Sequence, residues 1–152
     1  MNLFRGHFNS NGTEIAYHRT GGDLPPVVLV HGLTDSGMCW SSLIAELALS
    51  YDTVFLDNRG HGYTGLAADG VYTVAAMRED IRTLIESLEL DRPTLIGHSM
   101  GAAVSASFAA TYPELIRGVI LVDPPWIAEE LVTPEKIREG FESFRSDLSE
   151  FK

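Results

Sequence analysis

The fold of this chain is decided by the stretch Thr94-Leu95-Ile96-Gly97-His98-Ser99-Met100-Gly101-Ala102-Ala103. It begins as a short apolar segment rich in β-formers and continues as an alanine-rich stretch typical of a helix, with a Gly-x-Ser-x-Gly turn between them. The two glycines allow a sharp turn, because a side chain at position 97 or 101 would collide with the neighbouring strand or helix. The pattern predicts a strand over residues 93–96, a helix over residues 99–112, and an exposed Ser99 hydroxyl at the helix N-terminus.

The predicted placement of Ser99 suits acyl transfer. The backbone N–H of Met100 lies at the positive end of the helix and can face an oxyanion that grows on a carbonyl attacked by Ser99. An unassisted hydroxyl is a poor nucleophile at neutral pH, so Ser99 also needs a base, usually a histidine oriented by a carboxylate. A glycine turn with an incidental serine is the alternative, and the flanking strand and helix patterns argue against it.

Length and composition describe a single folded domain. The chain has 152 residues, of which 45% are hydrophobic, and this is sufficient for a buried core. Twenty-one acidic residues against eleven basic ones give a formal net charge of −10, which repels phosphate backbones and anionic membrane surfaces. We therefore expect neither nucleic acid nor a membrane as a partner.

Cysteine content and hydropathy indicate the compartment. Cys39 is the only cysteine, so the chain can form no internal disulfide and no cysteine-based metal site. The first residues lack the long apolar stretch of a secretory signal, and no run of about eighteen apolar residues occurs. We expect a cytoplasmic protein that uses no metal and no other cofactor.

Strand and helix patterns alternate along the chain. Asn11-Gly12 predicts an opening β-hairpin. Continuous apolar runs then predict strands buried on both faces of a parallel sheet, and apolar residues at helical spacing predict helices, one of them behind a Thr73 N-cap. The resulting order predicts a mostly parallel, doubly wound α/β sheet. The predicted strands cover residues 4–8, 13–19, 27–30, 53–56, 93–96 and 119–122, and the predicted helices cover residues 40–47, 74–88 and 99–112.

The chain changes character after Asp123-Pro124-Pro125. Thr133-Pro134-Glu135 supplies a helix start, and apolar residues then recur four and three positions apart, at Ile137, Phe141, Phe144, Leu148 and Phe151. This predicts an amphipathic helix that packs against the domain or covers a site as a lid. We accordingly divide the chain into a core, residues 1–125, and the start of a helical cap or lid, residues 126–152.

Three clusters follow predicted strands at the end where ligands bind in such folds. They are His31-Gly32-Leu33, residues 57–62 (Asp-Asn-Arg-Gly-His-Gly) and the Ser99 turn. In this order they resemble the N-terminal half of the α/β-hydrolase superfamily, over roughly residues 4–123. The resemblance implies an α/β-hydrolase-type sheet, incomplete at its C-terminal edge, with Ser99 as nucleophile. It also implies that the N–H of Leu33 is the second oxyanion donor beside that of Met100, and that His31 and residues 57–62 brace the site.

Within residues 57–62, two charged side chains stand two positions apart. We expect Asp57 and Arg59, as an Asp-Arg pair in a glycine loop, to fix the shape of the loop rather than to bind substrate.

The histidines depart from the family pattern. The triad order in the superfamily is serine, acid, histidine, yet all five histidines precede Ser99, namely His7, His18, His31, His61 and His98. We expect neither His98 nor His31 to be the base, because neighbouring side chains diverge and His31 is expected to be scaffold. Asp123 is a candidate for the acid, although most family members place the acid after a later strand than this chain contains.

These absences predict that the chain is an N-terminal portion of a longer hydrolase, or one piece of a protein whose second piece is separate. The expected function is that of a carboxylesterase-like serine hydrolase. It would cleave a small ester or related acyl substrate through an acyl-enzyme on Ser99, with a histidine supplied beyond residue 152. We expect the 152-residue portion alone to be inactive. The strand over residues 119–122 would leave an open edge for the rest of the fold or for a second chain.

Two other functions bear on this expectation. A serine at the turn argues against epoxide hydrolase and dehalogenase chemistry, which in this superfamily needs a carboxylate nucleophile. A catalytically silent α/β-hydrolase-like binding or interaction module remains the alternative, and the missing histidine supports it.

Overall fold

The computed structural model describes residues 3–125. Their strands are β1 (Phe4–Ser10), β2 (Thr13–Arg19), β3 (Pro26–Val30), β4 (Asp52–Leu56), β5 (Thr94–His98) and β6 (Gly118–Val122). Their α-helices are α1 (Ser41–Leu47), α2 (Val74–Ser87) and α3 (Met100–Thr111), and shorter 3₁₀ helices cover Gly37–Trp40 and Pro113–Leu115. The order of strands and α-helices is the one predicted from the sequence, and their bounds move by one or two residues.

The strands form one sheet in the order β1-β2-β4-β3-β5-β6. β1 and β2 form the predicted hairpin, and its turn residues Asn11 and Gly12 both have positive φ, 49° and 82°, as a type I′ turn requires. β2 then pairs antiparallel with β4, and all the pairs from β4 to β6 are parallel. The sheet is therefore mostly parallel, as expected, with an antiparallel hairpin at one side.

The core lies on both faces of this sheet. On β3, Val28 and Val30 pack into a cluster with side chains of α2 and α3, whereas Val27 and Leu29 pack on the opposite face with Ile44 of α1. This alternation explains why the strand sequence is apolar at every position. Because β3, β4 and β5 run parallel, their carboxyl ends lie at the same edge of the sheet. The three clusters found in the sequence follow the strands at this edge.

The start of α2 confirms the predicted N-cap. The Thr73 hydroxyl accepts a hydrogen bond from the N–H of Ala76 at 3.2 Å, which satisfies a donor of the first turn. The apolar face behind this cap is buried and includes Met77, Ile81, Leu84 and Ile85.

β6 differs from the expectation of a strand buried on both faces. The side chains of Ile120 and Val122 are 51% and 40% exposed. Within residues 3–125, β6 pairs with β5 alone and α3 covers one of its faces, so alternate side chains on the other face contact solvent. The sequence placed this strand at an open edge, but the prediction of burial was wrong for these two residues because an apolar run does not show whether a helix covers each face of the strand.

The predicted cap, residues 126–152, and its helix from Thr133 onward lie outside the described residues. Within residues 3–125, no helix combines the length and apolar character needed to cross a membrane.

Candidate active site

The Ser99 turn has the geometry of a nucleophile elbow. Ser99 joins β5 to α3 with φ 49° and ψ −116°, a conformation that a residue with a side chain rarely adopts. A Cβ added to Gly97 would lie 2.3 Å from the carbonyl oxygen of Gly101, and one added to Gly101 would lie 2.1 Å from the carbonyl oxygen of Val30. Both neighbours are backbone atoms, so only glycine fits at the two positions.

The Ser99 side chain makes no capping hydrogen bond to the first turn of α3. A serine before a helix commonly caps it, with the hydroxyl accepting a bond from an N–H two or three residues later. Here the hydroxyl is not used to cap α3. The N–H of Met100, the first residue of α3, belongs to the helix N-terminal donors that have no intrahelical acceptor.

The end of β6 is joined to the elbow through the backbone. The N–H of Ser99 donates to the carbonyl oxygen of Val122 at 3.0 Å. Asp123 follows directly, with φ 47° and an exposed side chain. The candidate acid therefore lies one residue from a hydrogen-bond partner of Ser99.

The loop after β3 carries the predicted second oxyanion donor, Leu33, and is held by His31. The His31 side chain is fully buried, and its Nδ1 lies 2.7 Å from the carbonyl oxygen of Gly32. Its Nε2 accepts a hydrogen bond from the N–H of Asn58 at 2.9 Å, so the ring proton is on Nδ1 and is donated to Gly32. This carbonyl belongs to the same peptide group as the N–H of Leu33, so His31 orients that donor directly.

Burial lowers the pKa of His31 below its ordinary value, which favours the neutral ring. Both ring nitrogens are occupied by backbone partners, and neither is left to take a proton from Ser99. His31 is therefore scaffold, in agreement with the expectation from the sequence.

Asp57, which follows β4, shapes the next loop through backbone donors. One carboxylate oxygen accepts from the N–H of Gly37 at 2.6 Å, and the other accepts from the N–H of Tyr63 at 2.8 Å. The backbone carbonyl of Asp57 accepts from the Thr64 hydroxyl at 2.7 Å. All these partners are structural, so the carboxylate is not available to a substrate.

Arg59 is fully buried, and its partner differs from the expected one. Its guanidinium forms a bidentate pair with Asp80 of α2, at 2.8 Å and 2.7 Å, and also donates to the carbonyl oxygen of Val71 at 2.6 Å. The sequence suggested a pair with Asp57, two residues away. Asp57 is occupied by backbone N–H groups, and the side chain of Arg59 reaches α2 instead. The hydrogen bond to Asp80 raises the pKa of Arg59 above its usual value.

His98, next to Ser99 in sequence, faces the loop after β3. Its Nδ1 lies 3.9 Å from a carboxylate oxygen of Asp35, and its ring is edge-on to Trp40 with centroids 6.4 Å apart. The ring also lies against Gly32, where an added Cβ would be 3.0 Å from Nδ1. His98 thus lies between the Ser99 turn and the loop after β3.

The other histidines lie in different surroundings. His7 is on β1, which three strands separate from β5. His18 stacks on Phe55 with ring centroids 5.0 Å apart, and burial lowers its pKa. His61 lies in the loop after β4 with its ring nitrogens 3.0 Å and 2.6 Å from the carbonyl oxygens of Arg59 and Leu33.

Among residues 3–125, no group of three or more His, Cys, Asp and Glu side chains could hold a metal ion. Two contacts of the site were missed in the sequence, Arg59 with Asp80 and His61 with Leu33, because they join residues 21 and 28 positions apart. The one local signal was Asp80 itself, an acidic residue directly beside the apolar stripe of α2.

A family model described as the alpha/beta hydrolase fold matches residues 25–152. The chain belongs to the α/β-hydrolase family. The strand-to-helix turn described above corresponds to the nucleophile elbow of this fold, here with serine at its apex.

Known α/β-hydrolases resemble this chain over most of its length. It is 35% identical over 120 residues to N-formylmaleamate deformylase of Pseudomonas putida, covering 79% of this chain and 45% of that protein. It is 34% identical over 113 residues to 2-(acetamidomethylene)succinate hydrolase of Mesorhizobium japonicum, covering 74% and 40%. The structure of the thioesterase domain from the curacin biosynthetic pathway superposes with a TM-score of 0.77 at 28% identity, covering 85% and 49%. The chain thus spans less than half the length of these three relatives.

Proposed function

We propose that this chain carries the nucleophile and the oxyanion donors of a serine hydrolase that cleaves a small ester or related acyl substrate. The observation that carries the proposal is the backbone of Ser99, at φ 49° and ψ −116° directly before α3. Such a conformation costs about 1–3 kcal/mol and persists only where the surroundings enforce it. A serine held in this way, whose hydroxyl caps no helix, has its natural use in nucleophilic attack.

The proposed reaction proceeds through an acyl-enzyme. Ser99 Oγ attacks the substrate carbonyl carbon, and its proton passes to a histidine supplied from beyond residue 152. The carbonyl oxygen becomes an oxyanion that faces the N–H groups of Leu33 and Met100. The intermediate collapses, the bond to the leaving group breaks, and the leaving group takes the proton from the histidine. Water then releases the acyl group by the same steps in the second half of the reaction.

The carboxylate that orients this histidine has two candidates. Asp123 follows the strand whose carbonyl binds the Ser99 amide, and within residues 3–125 its exposed side chain has no structural partners such as those that occupy Asp57. The alternative is an acid after a later strand, as in most of the family.

Three observations support a short, uncharged acyl group. The relatives described above include a deformylase and a hydrolase of an acetamidomethylene-substituted succinate. The side chain of Leu33, next to the oxyanion donor, is 45% exposed and apolar, which suits an uncharged acyl chain. Arg59 offers no countercharge to an acidic substrate, because its guanidinium is buried and paired with Asp80. We therefore take p-nitrophenyl acetate as the first substrate to test.

A fluorophosphonate probe tests the proposal, because Ser99 Oγ would form a bond to phosphorus and expel fluoride. The labelling experiment should use the protein that includes the segment supplying the base. We expect labelling that is lost in Ser99→Ala and retained in Ser105→Ala, a matched control that removes a fully buried hydroxyl of α3. Hydrolysis of p-nitrophenyl acetate should follow the same pattern. Absence of labelling in the complete protein would contradict the proposal and favour the catalytically silent binding module.

A further inference from the structure

Two imidazole rings hold the two peptide groups on either side of the Leu33 α-carbon. His31 Nδ1 donates to the carbonyl oxygen of Gly32 at 2.7 Å, and this carbonyl shares its peptide group with the N–H of Leu33. His61 Nε2 lies 2.6 Å from the carbonyl oxygen of Leu33, which belongs to the next peptide group. Neither backbone dihedral of Leu33 can rotate without breaking one of these two contacts.

One backbone hydrogen bond also restrains Leu33, because the N–H of Asp35 donates to the carbonyl oxygen of Gly32 at 3.3 Å. The side chain of Leu33 is 45% exposed, so packing in the described structure contributes only in part to the position of its backbone. An oxyanion donor has to lie about 2.7–3.1 Å from the position of the developing charge. The two imidazole contacts, at 2.7 Å and 2.6 Å, are shorter than this turn bond and are the side-chain restraints on the direction of the Leu33 N–H.

His61 is itself rigidly mounted. Its backbone N–H donates to the carbonyl oxygen of Asn58 at 2.9 Å, and its own carbonyl accepts from the N–H of Thr64 at 2.9 Å. Its ring packs edge-on against the buried ring of His31, with centroids 5.1 Å apart. The preceding turn is anchored to α2 through the fully buried side chain of Arg59. A line of contacts thus connects a helix of the core to the loop that carries Leu33.

The ring nitrogens of His61 both face carbonyl oxygens, which accept hydrogen bonds but cannot donate them. Nε2 lies 2.6 Å from the oxygen of Leu33, and Nδ1 lies 3.0 Å from that of Arg59. The shorter contact assigns a proton to Nε2, so that His61 donates to Leu33. With Nε2 protonated, this ring nitrogen is a hydrogen-bond donor and has no role as a base for Ser99.

We propose that His61 is a positioning residue for the oxyanion site, which holds the Leu33 N–H in the direction of the substrate carbonyl by donating from Nε2 to the Leu33 carbonyl. The inference rests on the proposed function, because a Leu33 donor serves catalysis only if Ser99 attacks a carbonyl. His61 touches neither the substrate nor the nucleophile in this role. Its effect is on the rate of the chemical step rather than on binding of the ground state.

Three substitutions separate the Leu33 contact from the rest of the side chain. In His61→Gln the amide NH₂ can reach the position of Nε2 and keep the bond to Leu33. In His61→Asn the amide reaches only the position of Nδ1. It keeps the contact with the Arg59 carbonyl oxygen and loses the contact with the Leu33 carbonyl oxygen. In His61→Phe the ring can still pack against His31, and both polar contacts are lost.

Kinetics with p-nitrophenyl acetate test the proposal in the protein that includes the base. We expect His61→Asn and His61→Phe to lower kcat about 10- to 100-fold, because a donor displaced by about 1 Å loses up to about 10²-fold in rate. KM should change by less than about threefold, and His61→Gln should restore most of kcat. Equal kcat in all three variants and the wild type would overturn the proposal. An equal loss in His61→Gln, accompanied by an equal loss of thermal stability, would also overturn it, because the role would then be structural.

A second measurement is independent of activity and separates this inference from the proposed function. The ¹³C resonance of the Leu33 carbonyl in selectively labelled protein reports its hydrogen bond directly. We expect an upfield shift in His61→Asn and His61→Phe and the wild-type position in His61→Gln. An unmoved resonance in all three variants would overturn the role of His61. Absence of fluorophosphonate labelling at Ser99, with the resonance shifting as expected, would overturn the hydrolase and leave the contact between His61 and the loop established.

Discussion

The α-carbon of Gly101 packs against the carbonyl oxygen of Val30 so closely that an added Cβ would lie 2.1 Å from that oxygen. The contact joins the first turn of α3 to the end of β3, the strand that leads into the loop with Leu33. Because the neighbour is a backbone atom, it cannot move aside as the end of a flexible side chain could. The close approach of α3 to the sheet therefore requires glycine at position 101, because glycine has only a hydrogen atom in place of a Cβ.

We expect Gly101→Ala to destabilise the protein by about 3 kcal/mol or more, at or beyond the upper end of ordinary overpacking, because α3 must shift away from β3. Gly65→Ala is the matched control, since a Cβ there has no heavy atom within 4 Å, and it should change the free energy of unfolding by less than about 0.5 kcal/mol. Urea denaturation measures both. Equal stability of the two variants would contradict the close packing of the elbow.

The buried pair of Arg59 and Asp80 gives a second stability prediction. Asp80→Asn keeps the size of the side chain and removes the charge opposite a guanidinium that is fully buried. We expect a loss of about 3 kcal/mol, at the lower end for breaking a buried pair, because the guanidinium keeps only a longer contact of 3.4 Å with the more exposed Asp69. Arg82→Gln, which breaks the more exposed contacts of Arg82 with Glu79 and Glu86, should cost only about 0.5 kcal/mol. Similar losses in the two variants, measured by urea denaturation, would show that Asp80 does not hold a buried charge.

Stability should fall as the pH decreases below about 6.5, and His31 should contribute to this. Burial is the main cause that lowers its pKa from 6.5, and the nearby His61 lowers it further. The hydrogen bond to the Gly32 carbonyl and the negative charges of Asp57 and Asp35 raise the pKa, but by less. Between the lowered pKa and 6.5 the unfolded chain binds more protons than the folded one, so protonation favours unfolding. The contribution of His31 is complete above pH 6.5 and decreases as the pH falls towards the lowered value.

Urea denaturation at pH 7.5, 6.5 and 5.5 checks this expectation. His31→Asn removes the titrating group and should reduce the loss of stability between pH 6.5 and 5.5, although it lowers stability at every pH. His18, whose pKa is also lowered by burial, should account for part of the loss that remains. An unchanged slope in His31→Asn would mean that the folded protein accommodates a charged ring at this position.

Substitution by Asn should affect turnover at Asp123 and stability at Asp57. Asp123 is exposed, so Asp123→Asn should alter the free energy of unfolding by less than about 0.5 kcal/mol. If Asp123 orients the base as proposed, turnover of p-nitrophenyl acetate should fall by about 10⁴-fold. Retained turnover would assign the acid to a later strand.

Asp57→Asn should instead destabilise the protein by about 1–3 kcal/mol, because the amide NH₂ cannot accept from both Gly37 and Tyr63. Thermal unfolding and turnover measured on the same samples separate the two effects. A loss of turnover in Asp57→Asn without a loss of stability would contradict its structural role.

Local patterns in the sequence predicted the parts of the fold that depend on neighbours along the chain. The run over residues 27–30 indicated a strand buried on both faces because every position is apolar, and the capping role of Thr73 followed from the residues after it. The glycines around Ser99 predicted the elbow because their spacing is a direct requirement of the turn.

The parts that the sequence did not predict depend on contacts between distant segments. Arg59 pairs with Asp80 rather than with Asp57, and this could not be seen before the approach of α2 to the loop was known. The exposure of Ile120 was missed for a related reason, since an apolar run does not indicate whether a helix packs on each face of the strand. The contact between His61 and Leu33 likewise joins loops after two different strands.

The hairpin formed by β1 and β2 has a consequence for shortening the chain. The family match begins at residue 25 and leaves the hairpin out. Yet Ala16 of β2 accepts a hydrogen bond from the N–H of Asp57 at 2.9 Å, and its own N–H donates to the hydroxyl of Thr64 at 2.8 Å. Both partners belong to the segment that mounts His61. A recombinant truncation at the family boundary would therefore remove two hydrogen bonds that hold the loop after β4, although it would leave Ser99 and its flanking glycines in place.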